Sequence, residues 1–226
     1  MNNELFNEEQ EFKQYYDLQN NLRDKVIKQD QLPEIIKYIA GVDVAYNDGS
    51  DKMIGAIVVL NAQTHELVEQ AFHEMEITFP YIPGLFSFRE IPPLIEAFKK
   101  LTIKPDLIVC DAQGIAHPKG IGMATHLGIE LDVPTIGCAK KRLVGSYDKA
   151  TLGLKRGDTQ ELIYNNVLVG KALRTQDNTN PMYVSIGHKI SLETAIDWIL
   201  KLTPDYRLPE TTRQADHLVN SLLKNK

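Results

Sequence analysis

Three carboxylates stand where packing alone would not put them. Asp43 interrupts Ile39-Ala40-Gly41-Val42-Asp43-Val44-Ala45, a run otherwise without charge. Strand alternation places it on one face with Gly41 and Ala45, opposite Val42 and Val44. A carboxylate buried alone is costly, so Asp43 must be paired, metal-bound or solvated at a cleft; the plainer alternative is an aspartate in a partly exposed strand. Asp111 closes Leu107-Ile108-Val109-Cys110-Asp111 ahead of a glycine-rich loop. Ligands of open α/β sheets collect at such strand ends, although Asp also suits a turn there. Glu90 follows Phe88-Arg89 just before Pro92-Pro93, and reads as a helix start, where a carboxylate complements the dipole. Converging on one end of a sheet, these acids suit a hard divalent cation, Mg²⁺ with Mn²⁺ able to substitute, since both prefer oxygen ligands. No His/Cys cluster has zinc spacing. Cys110 and Cys138 sit in apolar stretches and read as reduced core residues.

Two loops and a basic run add further chemistry. Pro80-Tyr81-Ile82-Pro83-Gly84 holds an aromatic between two stiff prolines. Tyr81 either folds back onto the core or acts as a wedge that replaces a base extruded from a duplex. Gly114-Ile115-Ala116-His117-Pro118-Lys119-Gly120-Ile121-Gly122 offers backbone N–H groups, a titratable histidine and a cation beside Asp111. It is not a phosphate-binding P-loop, since no Gly-x-x-x-x-Gly-Lys-Ser/Thr occurs. Lys140-Lys141-Arg142 follows the strand Val133 to Cys138, again at a carboxyl end, and reads otherwise as a solvated run. Asp216 and His217 near Arg213 have the spacing of a local i, i+3 ion pair. His65, His73, His126 and His188 have no evident partner and read as structural.

The elements that position these groups belong to an ordinary globule of 226 residues, 43% hydrophobic and 24% charged. The longest apolar run, Met53 to Leu60, is far short of the roughly 20 residues a bilayer needs, so no membrane partner is expected. The polar, acidic first residues resemble no export signal, and together with the reduced cysteines they imply a cytoplasmic protein, expected as a monomer. The net charge of −5 is unevenly spread. Residues 1–34 carry −4, whereas residues 119–156 carry +4. A phosphate backbone feels such a local patch over a screening length of about 10 Å. The charge balance therefore permits a nucleic acid without demanding one.

Residues 4–29 lack Gly and Pro and predict a helix. Ile35 to Tyr46, Met53 to Leu60 and Leu67 to Ile77 predict three strands joined by the turns Asn47-Asp48-Gly49-Ser50 and Asn61-Ala62-Gln63-Thr64, an antiparallel meander. Phe79 to Gly84 must be loop. From Pro92 onward, Leu94, Ile95, Phe98 and Leu101 fit a helix stripe with the prolines in its first turn. Leu107 to Cys110, the glycine loop, a helix and Val133 to Cys138 form a β-loop-α-β unit, which implies a parallel pair. Leu162 to Val169 and Tyr183 to Ile186 read as strands. Leu192, Ala195, Ile196 and Ile199, then Ala215, Leu218, Val219 and Leu222, mark two final helices. The fold class is α/β: a mixed sheet, antiparallel meander then parallel strands, flanked by helices in ribonuclease H-like order. One domain over 35–226 carries an acidic helical leader, 1–34, packed on it.

From about Ile39 to Leu223 the chain resembles the endonuclease V family of deoxyinosine-specific nucleases. The resemblance rests on ordered blocks: Gly41-Val42-Asp43-Val44-Ala45-Tyr46; Pro80-Tyr81-Ile82-Pro83-Gly84 with Phe88-Arg89-Glu90; Asp111 with Gly114-Ile115-Ala116-His117-Pro118 and Thr125-His126-Leu127-Gly128; Val184-Ser185 with Gly187-His188; and Thr212-Arg213-Gln214-Ala215-Asp216. It implies a ribonuclease H-like fold, and a cut at the second phosphodiester bond 3′ to deoxyinosine that leaves 3′-hydroxyl and 5′-phosphate ends. It implies Asp43 and Asp111 as Mg²⁺ ligands, Glu90 as a further acid of the metal site, Asp216 as a fourth acid and Lys140 as the active-site lysine. His117, with Lys119, falls near the phosphate; Tyr81 matches the wedge, with Pro83, Gly84 and Gly122 at the pocket for a flipped base. Ala112, Phe86 and Thr211 depart from the family pattern, and Ala112 and Phe86 border that pocket. Besides inosine-containing DNA, inosine-containing RNA is an alternative substrate. A non-catalytic binding module and a metal phosphohydrolase for small substrates are the rival readings.

Overall fold

A computed structural model of the chain describes residues 11–47 and 50–224. One eight-stranded sheet runs through it in the order β3-β2-β1-β4-β5-β8-β7-β6. The first three strands, β1 (Tyr38–Tyr46), β2 (Lys52–Asn61) and β3 (Leu67–Glu76), form the expected antiparallel meander. The chain then crosses through helix α2 (Phe86–Lys100) to β4 (Leu107–Cys110) and through α3 (Met123–Leu131) to β5 (Thr135–Ala139). Both β1–β4 and β4–β5 are parallel pairs. The remaining strands, β6 (Thr159–Tyr164), β7 (Val167–Leu173) and β8 (Met182–His188), return antiparallel. Helices α4 (Leu192–Lys201) and α5 (Glu210–Lys224) close the chain. This is the mixed sheet of ribonuclease H-like order that the sequence predicts.

Strand alternation divides the core in two. Ile39, Val109, Ile136 and Cys138 face α4 and α5, while Ala40, Val42, Ile108 and Cys110 face α2 and α3. Gly41 sets how closely α5 approaches β1, since a Cβ there would stand 2.1 Å from the Thr211 carbonyl oxygen. Among the described residues no helix is long and apolar enough to cross a membrane.

Four local expectations are corrected. The leader helix α1 spans Lys13–Arg23 among the described residues, not 4–29; residues 4–10 lie outside them. It ends early because the following segment is held by β-type bonds: Lys189 N donates to the Ile27 carbonyl and Gln31 N to the Lys189 carbonyl. Tertiary pairing here overrides helix propensity. Pro92 and Pro93 lie inside α2, beyond its first turn, because the helix begins at Phe86. Pro93 is buried and packs directly over Gly55 of β2. Leu162 to Val169 is not one strand but the tip of the β6–β7 hairpin. Asn165 and Asn166 both take positive φ, 50° and 61°, the type I′ signature that residue composition concealed. Arg213 pairs with Glu210 at 2.9 Å rather than with Asp216, so the anticipated i, i+3 pair runs the other way. Part of the Asn47-Asp48-Gly49-Ser50 turn lies outside the described residues.

Candidate active site

Parallel register assembles the charged centre. The last pair of β1 and β4 is Val42 with Cys110, so Asp43 and Asp111 come next, side by side. Alternation gives both the same face as Gly41 and Val109, the face covered by α5. On the adjoining strand Lys140 follows β5 and falls on the face of Cys138, which is again that face. Three neighbouring strand ends therefore deliver Asp43, Asp111 and Lys140 to one place. The Lys140 Nζ stands 2.5 Å from the Asp111 Oδ2. Helix α5 brings Asp216 close enough to act electrostatically on both Asp43 and Lys140.

Burial shapes the protonation of this group. Asp43 is pushed up to about 6, first by burial, then by the neighbouring Asp216 and Asp111 carboxylates, against a stabilising bond from the Val44 N–H. Glu90, buried on α2, is pushed up to about 8 by burial, with the Asp43 charge adding to it. The Tyr46 hydroxyl donates to the Glu90 Oε1 at 2.9 Å and opposes that rise. Burial works against the Lys140 ammonium, but its bond to Asp111 and the charges of Asp111, Asp216 and Asp43 outweigh it and hold its pKa above the usual lysine range. His117 is buried and driven down to about 4, with Lys119 adding to the effect. Its Nδ1 accepts the Lys119 backbone N–H at 3.3 Å, leaving Nε2 as the donor of a neutral ring.

Among the described residues no three His, Cys, Asp or Glu side chains stand in ready-made ligand geometry; Lys140 closes on Asp111 instead. The donor set nevertheless fits a hard cation. The candidate oxygen donors are carboxylates that raise one another's proton affinity, a repulsion a divalent ion would relieve.

Beside the charged centre opens a cavity of about 630 Å³. Asp111 itself lines it, with Tyr81, Pro83, Gly84, His117 and Gly122, all singled out in the sequence. Two of the three departures, Ala112 and Phe86, line it as well. Tyr81 is not folded onto the core: it is 66% exposed, with the Phe86 ring edge-on at 6.0 Å. Lys119 stands apart, in an adjoining hollow of about 520 Å³ that it shares with Lys13 and Tyr16 of the leader helix.

Several contributors escaped the sequence reading. Ser87 and Gln113 line the cavity, both buried. His126, read as structural, holds the Ser87 hydroxyl at 2.9 Å through Nδ1, and Gln113 Nε2 donates to the Lys141 carbonyl at 2.8 Å. Most unexpected is Gln19, buried on α1, which donates to the Gly84 carbonyl at 2.8 Å. Gly84 has φ +87°, and open space surrounds the place a Cβ would occupy, so the backbone turn itself demands glycine. The leader therefore anchors the Tyr81 loop. Its Phe12, Tyr15 and Tyr16 pack on Phe79, Ile82 and Leu85. The sequence signal for this was the aromatic pair Tyr15-Tyr16 in a largely polar helix.

Comparison with known proteins follows this geometry. A family model described as Endonuclease V matches residues 20–217. The Endonuclease V of Nostoc punctiforme is 48% identical over 204 residues, covering 90% of this chain and 91% of the relative. The crystal structure of the Streptomyces avermitilis Endonuclease V superposes with a TM-score of 0.89 at 43% identity, over 94% of this chain and 93% of that one. The Ciona intestinalis Endonuclease V, solved in complex with a 24mer DNA containing an inosine followed by a ribo-adenosine, gives a TM-score of 0.84 at 27% identity, over 96% and 99%.

Proposed function

The chain belongs to the endonuclease V family, and from that premise we propose that it hydrolyses the second phosphodiester bond 3′ to a deoxyinosine in DNA. The products carry 3′-hydroxyl and 5′-phosphate ends. One observation carries the reading: Asp111 belongs both to the carboxylate centre and to the wall of the neighbouring cavity. A base held in that cavity keeps its own strand against the acids.

Asp43 and Asp111, with Glu90 as a further acid, hold Mg²⁺, for which Mn²⁺ can substitute. When bound, the cation supplies Lewis acidity toward a phosphate oxygen and a water. Lys140, kept charged by its acidic neighbours, presents its ammonium where the transition state gains negative charge. Asp216 keeps that ammonium oriented toward Asp43 and Asp111. His117, neutral at physiological pH, donates from Nε2 to a phosphate oxygen without adding charge. Glu90 holds a proton at neutral pH in the metal-free protein, and the Tyr46 hydroxyl fixes its carboxyl group.

Tyr81 fills the gap left in the duplex when the base leaves it, and Pro83, Gly84 and Gly122 form the pocket the base enters. Hypoxanthine lacks guanine's amino group and pairs poorly, which lowers the cost of extrusion. The backbone at Gly84 and Gly122 excludes a 2-amino group by shape.

The test is a nicking assay with Mg²⁺ on matched end-labelled strands, one with deoxyinosine and one with deoxyguanosine. A third strand has a ribonucleotide after the inosine, and a fourth is inosine-containing RNA. A cut one nucleotide beyond the inosine, in DNA, is the expected result. Cutting confined to RNA would move the substrate while keeping every residue assignment. Binding without cutting would overturn the catalytic reading.

A further inference from the structure

On the other side of Lys140 from the base cavity lies a second cleft, of about 550 Å³. Its wall holds Lys140, Lys141, Arg142, Lys149, Arg174 and Arg207, and no carboxylate. Lys141 and Arg142 line both hollows and so form the partition between them, while Lys140 lines only the second cleft. Apart from Lys140, none of these six forms an ion pair among the described residues. Uncompensated cations gathered in one concave surface repel one another, and a polyanion relieves that repulsion.

Two of the guanidinium groups are fixed in place. Arg207 donates from Nε to the Asn180 carbonyl at 2.7 Å and from Nη2 to the Pro181 carbonyl at 3.1 Å. Arg174 donates from Nε to the Gly153 carbonyl at 2.9 Å and from Nη1 to the Thr179 carbonyl. Bonds to carbonyls orient a guanidinium without neutralising it, so its remaining N–H groups stay available to an anion at little entropic cost. The hydroxyls of Tyr147 and Tyr183, 3.5 Å apart on the same wall, add neutral donors.

We propose that this cleft holds the phosphate backbone of the cut strand on the 3′ side of the cut. The inference rests on the deoxyinosine reading and sharpens it. With the base in its cavity and the reacting phosphate at Asp111 and Lys140, the strand beyond the cut leaves on the far side of Lys140. That side is the basic cleft. Among the described residues the hollow on the leader side offers no comparable cluster to a 5′ flank: it holds Lys13 and Lys119, and Lys13 is paired with Asp17.

The test uses the full chain with Ca²⁺ in place of Mg²⁺ and measures affinity for an inosine strand carrying three neutral methylphosphonate linkages. These are placed either beyond the cut or 5′ to the inosine. Placement beyond the cut is expected to weaken binding by on the order of tenfold and to lower the salt slope by about 2, at about 0.7 per single-strand phosphate. The 5′ placement should change affinity by less than about twofold on the same accounting. Lys149→Ala, at an exposed position that leaves the core untouched, should shrink the penalty for the 3′ placement and leave the 5′ one alone. Equal penalties on both flanks, or a larger one 5′, with inosine preference intact, would overturn the cleft assignment alone. Loss of inosine preference in the unmodified strand would overturn the reading beneath it.

Discussion

The charged centre and the base cavity share Asp111 but are built by different means. Asp43, Asp111 and Lys140 are placed by the register of three adjoining strands, and moving any one of them would require breaking a ladder of backbone bonds. The cavity wall is made mostly from loops, the Tyr81 turn, the glycine loop and the segment 141–143, with the first residues of α2. These are tied down by side-chain bonds, Gln19 to Gly84, Gln113 to Lys141 and the Gly114 N–H to the Ser185 hydroxyl, and by a few backbone bonds such as Ile115 N to the Ile186 carbonyl, rather than by a continuous ladder. On the proposed reading, chemistry rests on the rigid part of the fold, and selectivity rests on a part that substitution can reshape without disturbing the sheet. Ala112 and Phe86, the two departures from the family pattern that border the pocket, both lie on the cavity side of that division.

The division breaks most sharply at the acids. Asp43→Ala or Asp111→Ala should lower nicking by on the order of a thousandfold or more, since on the proposed reading each removes a ligand for the cation. Circular dichroism and, with Ca²⁺, inosine-strand binding should stay close to those of the unchanged protein. Retained Mg²⁺-dependent nicking in either variant would remove the assignment.

Glu90 tests the same region through pH. Its folded-state pKa of about 8 lies above the ordinary carboxylate range, so the folded protein binds a proton that the unfolded chain has released. Metal-free stability should therefore fall as pH rises from about 4.5 through about 8, and Asp43 should add to the fall through about 6. Glu90→Gln removes its share of that slope and should stabilise the metal-free protein at high pH by on the order of 1–2 kcal/mol, while nicking falls by roughly tenfold to a hundredfold. Apparent Mg²⁺ affinity of the unchanged protein should strengthen over the same window, because protons and cation compete for the same oxygens. Thermal melts with EDTA across pH, beside Mg²⁺ titrations of activity, give both readings. A melting temperature indifferent to pH would contradict the buried-acid account.

How much was legible in the sequence follows the same line. An aspartate inside an apolar strand, and another at a strand's end, are visible because alternation and hydrophobicity leave them unexplained, and register then brings them together. The Asn165-Asn166 turn was missed because two asparagines between apolar residues carry no Gly or Pro signal, although both take positive φ. The early end of α1 at Arg23 depends on Lys189, more than a hundred residues away, a contact no local propensity encodes. Ser87 and Gln113 were invisible as cavity residues for a related reason: their roles follow from His126 and from the Lys141 carbonyl, partners supplied only by folding.

Tyr81→Ala probes the cavity side. With the ring 66% exposed, its loss should leave stability within about 0.5 kcal/mol. Affinity for an inosine-containing duplex should fall roughly tenfold, the loss of about one base-sized stacking contact. Affinity for a single strand should change less, because no stack needs to be filled. Equal losses on the two substrates would argue against a wedge.

The smallest expected effect is the most discriminating, because it lies on the leader, far in sequence from either region. Gln19 reaches Gly84 across 65 positions of chain, and its donor is the described side-chain bond on that turn's carbonyl. Gln19→Ala leaves this carbonyl to water and frees the turn that carries Tyr81, while Tyr15 and Tyr16 still pack beneath it. The cost in stability should be about 1 kcal/mol, that of one partly buried hydrogen bond. The Mg²⁺ dependence of nicking should not move, since register fixes the acids independently of the leader. What should move is the preference for deoxyinosine over deoxyguanosine, by a few-fold, read as the ratio of kcat/KM on matched strands. A Gln19→Glu variant separates anchoring from packing. It keeps the shape but removes the donor, so it should follow Gln19→Ala if the hydrogen bond is what matters. If both variants kept the full preference, the leader would be only a cover for Phe79, Ile82 and Leu85. The cavity would then owe its shape to the loops alone.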